Sequence, residues 1–242
     1  PLPDLFPPAG ITETILPIQG HRGVETYTLA VDPNRHIARF IEYFSTPGGK
    51  RWLEAALARG TPYIPHIIRR LEWYGLPEEL LYLPIIESEY KIYAVSRSGA
   101  TGLWQFMGNS VSPFDIRITS WIDERRDFWK ATDGALLKLR ENYDALGGDW
   151  LLALAAYNCG LGRVKRAIAG SGCTDFWSLA AGGFLPKETI NYVPKFLAIA
   201  SICSYPGRNG LPVSWEPHDD WERIRISKPV DIRLLAEAAD VP

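Results

Sequence analysis

The chain has 242 residues, enough to bury one large core or two modest ones, and its 46% apolar and 22% charged residues are those of an ordinary globular protein. A formal charge of −2 supplies no basic footprint, so nucleic acid is not an expected partner. Nine Trp and eleven Tyr stand out, and their broad apolar faces with a polar edge suit core packing and ligand stacking alike.

Residues 1–33 are rich in Pro and Gly with short β-like runs, "ETILPI" and "ETYTLAV", and read as an extended arm. The opening "PLPDLFPPAG" has neither an initiator Met nor an apolar signal core and looks like a processed product. No stretch approaches the length of a membrane span. From residue 34 to 205 the pattern is helical. "NRHIARFIEYFS" spaces Ile37, Phe40, Ile41 and Phe44 for a helix that "TPGG" should stop, and "KRWLEAALARG" and "TPYIPHIIRRLEWYG" each run to a terminal Gly. Pro77 suits the first turn of "PEELLYL", and Pro84 restarts a helix at "PIIESEY", which places Glu87 in the first turns of that helix.

Further along, "DFWKATDGALLKLRENYDALGG" predicts a long amphipathic helix closed by two glycines. "DWLLALAAYNCG", with Asp149 as N-cap, is apolar on nearly every face and predicts a buried central helix. "LPKETINYVPKFLAIASICSYP" opens on Pro186 and should kink near Pro194. Residues 206–242 change character: "PGRNGLPVSWEP" is a linker by composition, and "ERIRISKPVDIRLLAEAADVP" reads as a short strand and helix. The fold class is mainly α. Helical hairpins of this length leave a helical-repeat scaffold as an alternative, although nothing repeats at a solenoid period.

Three cysteines (Cys159, Cys173, Cys203) are too few for a disulfide framework and are expected as buried free thiols. The four histidines are scattered, and no Cys-x-x-Cys or His-x-x-x-His spacing suggests a metal.

The residue that asks for a chemical explanation is Glu87, which follows Ile85 and Ile86. Desolvation there raises a carboxyl pKa toward a value useful to a general acid, while the dipole of a helix start favours the ionised form. For an isolated Glu, a favourable end charge is the stronger reading. The neighbouring segments change that. "SGATGLWQFM" brings Trp104 and Gln105 between glycine-permitted turns and Met107 beside them. "AAYNCG" leaves Tyr157 and Asn158 at the end of an apolar helix, where polar side chains need partners or a ligand, and "ETINYVPK" adds Tyr192.

"ESEY", "GATGLWQFM", "LALAAYNCGLGRV" and "LPKETINYVPKF" together, in this order and at these intervals, resemble the motifs of the family 1 lytic transglycosylases, most nearly the membrane-bound type D with its lysozyme-like, goose-type helical domain. "ARFIEYF", "TPYIPHIIRRLEWYGLPEELLYLPIIES" and "WIDERRDFWKAT" extend the resemblance to roughly residues 34–205. It implies cleavage of peptidoglycan glycan strands between N-acetylmuramic acid and N-acetylglucosamine without water, leaving a 1,6-anhydro ring. Glu87 matches the family's acid/base and Tyr192 the tyrosine that hydrogen-bonds it. Ser88 matches the serine that orients that acid or the sugar, and Gln105 the substrate-contacting glutamine. Tyr157 and Asn158 match the pair lining the cleft, with Trp104 and Met107 on its wall. The resemblance further implies no cofactor, no metal, a monomer in the periplasm or cell envelope, and any membrane or lipid anchor outside the chain.

Most glycosidases need two flanking carboxylates. After Glu89 the next carboxylate is Asp115, and no paired Asp stands out, which agrees with attack by the substrate's own 6-hydroxyl. Glu89, two residues on, reads as a surface charge. Departures from the pattern are "GNSVSPF" after "QFM", and Cys159 where a small residue is common, read as a buried thiol. The tail resembles the start of a LysM module, with a docked linker remnant equally weighted. A lysozyme-type muramidase and a peptidoglycan-binding module without activity remain as alternatives.

Overall fold

Residues 34–211 and 229–238 are described in the computed structural model. The expected N-terminal arm and the tail's expected strand lie outside them. The side chain of Asn34 accepts from the His36 and Ile37 amides and so starts α1, Arg35–Ser45, which buries Ile37 and Phe44. "TPGG" does end this helix, but the two glycines are not a linker. Thr46 caps Gly49 and Pro47 occupies the first turn, so α2 already runs from Pro47 to Gly60. The turn is tight enough that a Cβ on Gly49 would lie 2.5 Å from the Tyr43 carbonyl oxygen.

α3, Ile64–Tyr74, ends on Gly75 in the left-handed region at φ 59°. A 3-10 turn, Glu78–Tyr82, then leads directly into the short α4, Leu83–Ser88. Residues 89–127 form an irregular excursion held by isolated bridges (Val95 to Thr101, Thr101 to Phe106, Ile118 to Asp123) and three 3-10 turns. "GNSVSPF" provides two of those turns, Gly108–Ser110 and Ser112–Phe114. Inside this excursion Glu124 accepts from the Arg117 amide and side chain and from Lys130. The hydrogen bond from Arg117 leads the effects that bring the Glu124 carboxyl down to about 2.

The remaining helices enclose the core. α5 (Phe128–Ala145) is capped by Asp127 and followed by Gly147 and Gly148, both at positive φ. α6 (Trp150–Cys159) is capped by Asp149 as expected, and Leu152 to Ala156 are fully buried along it. α7 (Leu161–Ser171) and α8 (Phe176–Ala181) follow within the helical stretch, where no single segment marks an individual helix. α9 (Lys187–Ser204) is a single helix with Pro194 inside it. Pro206–Asn209 forms α10, and Leu211 is buried, so the packed body reaches beyond residue 205. α11, Ile232–Ala238, is the helical part of the tail.

α6 packs against α5, α7 and α9, and α9 also packs against α1. Ala153, Ala155 and Ala156 keep α6 slim, which lets its neighbours approach closely. Phe196, Leu197 and Ile199 of α9 are completely buried, each contributing about 1.5–3 kcal/mol by leaving water. Among the described residues there is no sheet, and no helix is long and apolar enough to cross a membrane. The mainly helical expectation holds.

Candidate active site

Four helices converge on Glu87. It sits in the last turn of the six-residue α4, not at the start of a longer helix, because Glu89 and Tyr90 turn left-handed at φ 54° and 58° and end it. The expected N-terminal dipole effect on its charge therefore does not apply. From α9, Tyr192 donates a hydrogen bond to Glu87 Oε1. Lys138 of α5 and Glu188 and Lys195 of α9 add charges within electrostatic range.

The Glu87 carboxyl is raised to about 7. Burial is the largest cause. The Tyr192 hydrogen bond and the Lys138 charge oppose it, Glu188 adds to the rise, and Lys195 pulls it down. Burial in turn lowers the Lys138 and Lys195 ammonium values and lifts the Tyr192 hydroxyl well above its ordinary range. The result is a carboxyl balanced between two protonation states near neutrality, with a neutral tyrosine always available as its donor.

Ser88 is buried and donates to the Leu103 carbonyl at 2.8 Å, tying α4 to the 99–106 segment rather than facing a ligand. Trp104 corrects an expectation: it is completely buried, with its indole N–H donating to Thr132 at 3.0 Å, so its side chain belongs to the core and not to a groove wall. Burying so large a ring beneath the segment gains more than exposing it. Gln105 is half-buried at φ 49°, its amide donating to the carbonyls of Gly102 (2.9 Å) and Ala94 (3.3 Å). Met107 beside it is exposed.

Tyr157 donates to the Trp104 carbonyl at 2.8 Å, and Lys138 Nζ lies 5.2 Å from the centre of its ring. Asn158 accepts from Thr189 at 2.7 Å and so joins α6 to α9. Of the expected residues, the structure brings Tyr192 directly onto Glu87 and Tyr157 into its electrostatic range, while Ser88, Tyr157 and Asn158 brace the surrounding elements. Glu89 is the surface charge expected, paired with Arg59 at 2.7 Å and Lys91 at 3.0 Å.

Cys203 is buried, whereas Cys159 and Cys173 are only half-buried; all three are free thiols. Burial keeps Cys159 above its ordinary value and so as a thiol, not a nucleophilic thiolate.

Lys138, Glu188 and Lys195 had not been singled out. Lys138 was visible as the lysine in an otherwise buried stripe (Ala131, Ala135, Leu139, Asn142) of α5. Glu188 adds a second carboxylate to the surroundings of Glu87, because "KETINY" places it one helical turn before Tyr192, on the same face.

The family described as Transglycosylase SLT domain matches residues 66–179. The membrane-bound lytic murein transglycosylase D of Escherichia coli K12 is 36% identical over 198 residues, which is 79% of this chain and 43% of that protein. A putative tributyltin chloride resistance protein of Alteromonas sp. strain M-1 is 38% identical over 118 residues, 49% of this chain and 56% of that one. The chain therefore spans about half or less of the length of these relatives. Among solved structures, the 70 kDa soluble lytic transglycosylase from Escherichia coli matches with a TM-score of 0.53 at 22% identity, over 71% of this chain and 30% of that one. Its complex with bulgecin A matches with a TM-score of 0.54 at 21% identity, over 75% and 32%. At these identities the structures establish the shared lysozyme-like helical fold.

Proposed function

Residues 66–179 belong to the transglycosylase SLT domain family, and from that premise we propose that the protein is a lytic transglycosylase of the cell envelope. Its substrate is the glycan strand of peptidoglycan, cut between N-acetylmuramic acid and N-acetylglucosamine, with Glu87 as both acid and base. The single observation that carries this reading is the half-buried Glu87 carboxyl, raised to about 7 and hydrogen-bonded by Tyr192.

Protonated Glu87 gives its proton to the glycosidic oxygen as the bond from that oxygen to the muramyl C1 breaks. The positive charge developing at C1 is relieved by the neighbouring N-acetyl group. Glu87 is now a carboxylate, stabilised by the Tyr192 hydroxyl and the charges of Lys138 and Lys195. It removes the proton of the muramyl 6-hydroxyl, whose oxygen closes on C1 to form the 1,6-anhydro ring. The acid is regenerated and no water is consumed. Because the attacking hydroxyl belongs to the substrate, most of the entropic cost of bringing it in has already been met.

Purified peptidoglycan digested with the enzyme should release muropeptides lighter by one water than hydrolytic products and lacking a reducible end, read by mass spectrometry before and after borohydride. Glu188 near Glu87 favours a second reading, a two-carboxylate muramidase. Reducible products from the same digest would establish that one instead, and glycan binding without any product would leave a binding module.

Tyr192→Phe removes the hydroxyl that steadies ionised Glu87. Turnover is expected to drop about 10–100-fold with glycan affinity nearly unchanged. Equal losses in kcat and in affinity would make Tyr192 a binding residue.

A further inference from the structure

A groove of about 720 Å³, bridged by Arg39 of α1 and Asn191 of α9, runs past Tyr192. Lys138 is not part of its walls and comes to Glu87 from α5 instead. It differs from the other half-buried lysines near charge. Lys130 of the same helix pairs with Glu124 at 2.9 Å, and Lys195 acts on Glu89 ahead of Glu87. Among the described residues Lys138 has no hydrogen bond and no ion pair.

Two ring faces receive its ammonium. Nζ lies 5.2 Å from the centre of the Tyr157 ring and 5.6 Å from that of Phe106. A ring attracts a cation through its quadrupole but carries no net charge, so the positive charge is held in place without being neutralised. The backbone explains why these rings stand beside the acid. Ser88 donates to the Leu103 carbonyl and the Tyr157 hydroxyl to the next carbonyl, that of Trp104, each at 2.8 Å. The end of α4 and the ring over Lys138 are thus tied to one strip of chain, which continues into Phe106.

Glu87 leads the carboxylates that act on Lys138, and Glu141, one turn along α5, comes second. Glu87 in turn feels Lys138 ahead of Glu188 and Lys195, beside the hydrogen bond from Tyr192. Arg59 of α2 is taken by Glu89, and the Tyr82 hydroxyl donates to the Cys203 carbonyl.

We propose that Lys138 is the positioning residue that sets the upper pH limit of cleavage, its ring-held charge favouring ionised Glu87 and so ending the supply of protonated acid earlier than burial alone would. The inference rests on the peptidoglycan reading above. The same charge steadies the carboxylate left by the first proton transfer, so a narrower pH range accompanies a faster first step.

The test compares Lys138→Met, which keeps the stem between the rings and removes a desolvated charge, with Lys138→Arg, which keeps the charge. In Lys138→Met the alkaline limb of cleavage should move up by about one pH unit, with the plateau kcat about tenfold lower and KM nearly unchanged. In Lys138→Arg the limb should stay in place. The Glu87 carboxyl carbon, followed by 13C NMR and identified by its absence in Glu87→Gln, should titrate higher in Lys138→Met by the same amount. An unmoved carboxyl titration in Lys138→Met, or an equal move in Lys138→Arg, overturns the proposal. So does a rise in KM with the limb in place, which would make Lys138 a sugar-binding residue. The titration uses no substrate, so a failure of the transglycosylase reading, seen as absent anhydro products, is scored separately.

Discussion

Glu87→Gln should lower glycan cleavage by about 10³-fold or more while making the protein more stable above neutral pH. The amide keeps an oxygen to accept from Tyr192 but carries no proton to give. The gain in stability follows from the pKa. Glu87 is raised from 4.5 in the free residue to about 7 in the fold. Between those values the native state holds a proton that the unfolded state has released, so stability falls as pH rises through this window. Above pH 7 the native protein carries a desolvated carboxylate, at a cost on the order of 2 kcal/mol after allowing for the groove's solvent. Glutamine escapes that cost. Melting curves at pH 5 and pH 9 should show the wild type losing more stability than the variant across this interval, and parallel losses would contradict the electrostatic account. Activity should fall over the same range, since the first step needs the protonated acid. Cleavage that persists in Glu87→Gln would remove Glu87 from the chemistry altogether.

Gly102→Ala is expected to cost about 3 kcal/mol or more and to disable the enzyme through a residue that touches no substrate. Gly102 has φ 85°, and an added Cβ would stand 1.9 Å from the Arg125 carbonyl oxygen and 2.8 Å from its carbon. Neither is the movable end of a side chain. Relief requires separating the 99–108 segment from the 117–126 excursion, which breaks the hydrogen bonds from Arg125 Nη1 to the carbonyls of Gly99 and Phe106. Gly99→Ala is the control. Its φ is also 85°, but its added Cβ meets nothing within 4 Å, so only backbone strain of about 1 kcal/mol applies. Urea denaturation of the two variants side by side should separate them clearly. Equal losses would mean that strain alone, and not the contact with Arg125, fixes glycine at position 102.

Local signals in the sequence carried the helices well where polar caps and glycine stops were present. Asp127 and Asp149 cap α5 and α6 as their spacing predicts, and Gly75 ends α3. α7 was harder to see, because it buries only Val164 and so has little apolar periodicity. α8 has just six residues. The Glu87–Tyr192 pair was legible through family motifs, but Glu87's place in its helix was not, since what ends α4 is a left-handed backbone at Glu89 and Tyr90 rather than at a glycine. Trp104 looked like a groove residue because aromatic side chains serve cores and ligands equally, and only its bond to Thr132, 28 residues away, decides between them. The charges around Glu87 come from α5 and α9, and no local pattern links those stretches to α4.

The acid and its hydroxyl partner are separated by 105 residues, and the Arg39–Asn191 link across α1 and α9 by 152. Contacts of that span close late, since the entropy of ordering the intervening chain comes before any return from packing. A polypeptide emerging from its N-terminus holds α1 to α8 before α9 exists to complete them, with the apolar faces of α6 still uncovered. The last long helix therefore delivers much of the core, one groove wall and the hydroxyl that hydrogen-bonds Glu87 together. Chains cut before α9 are therefore expected to lack both the closed core and the Glu87–Tyr192 pair.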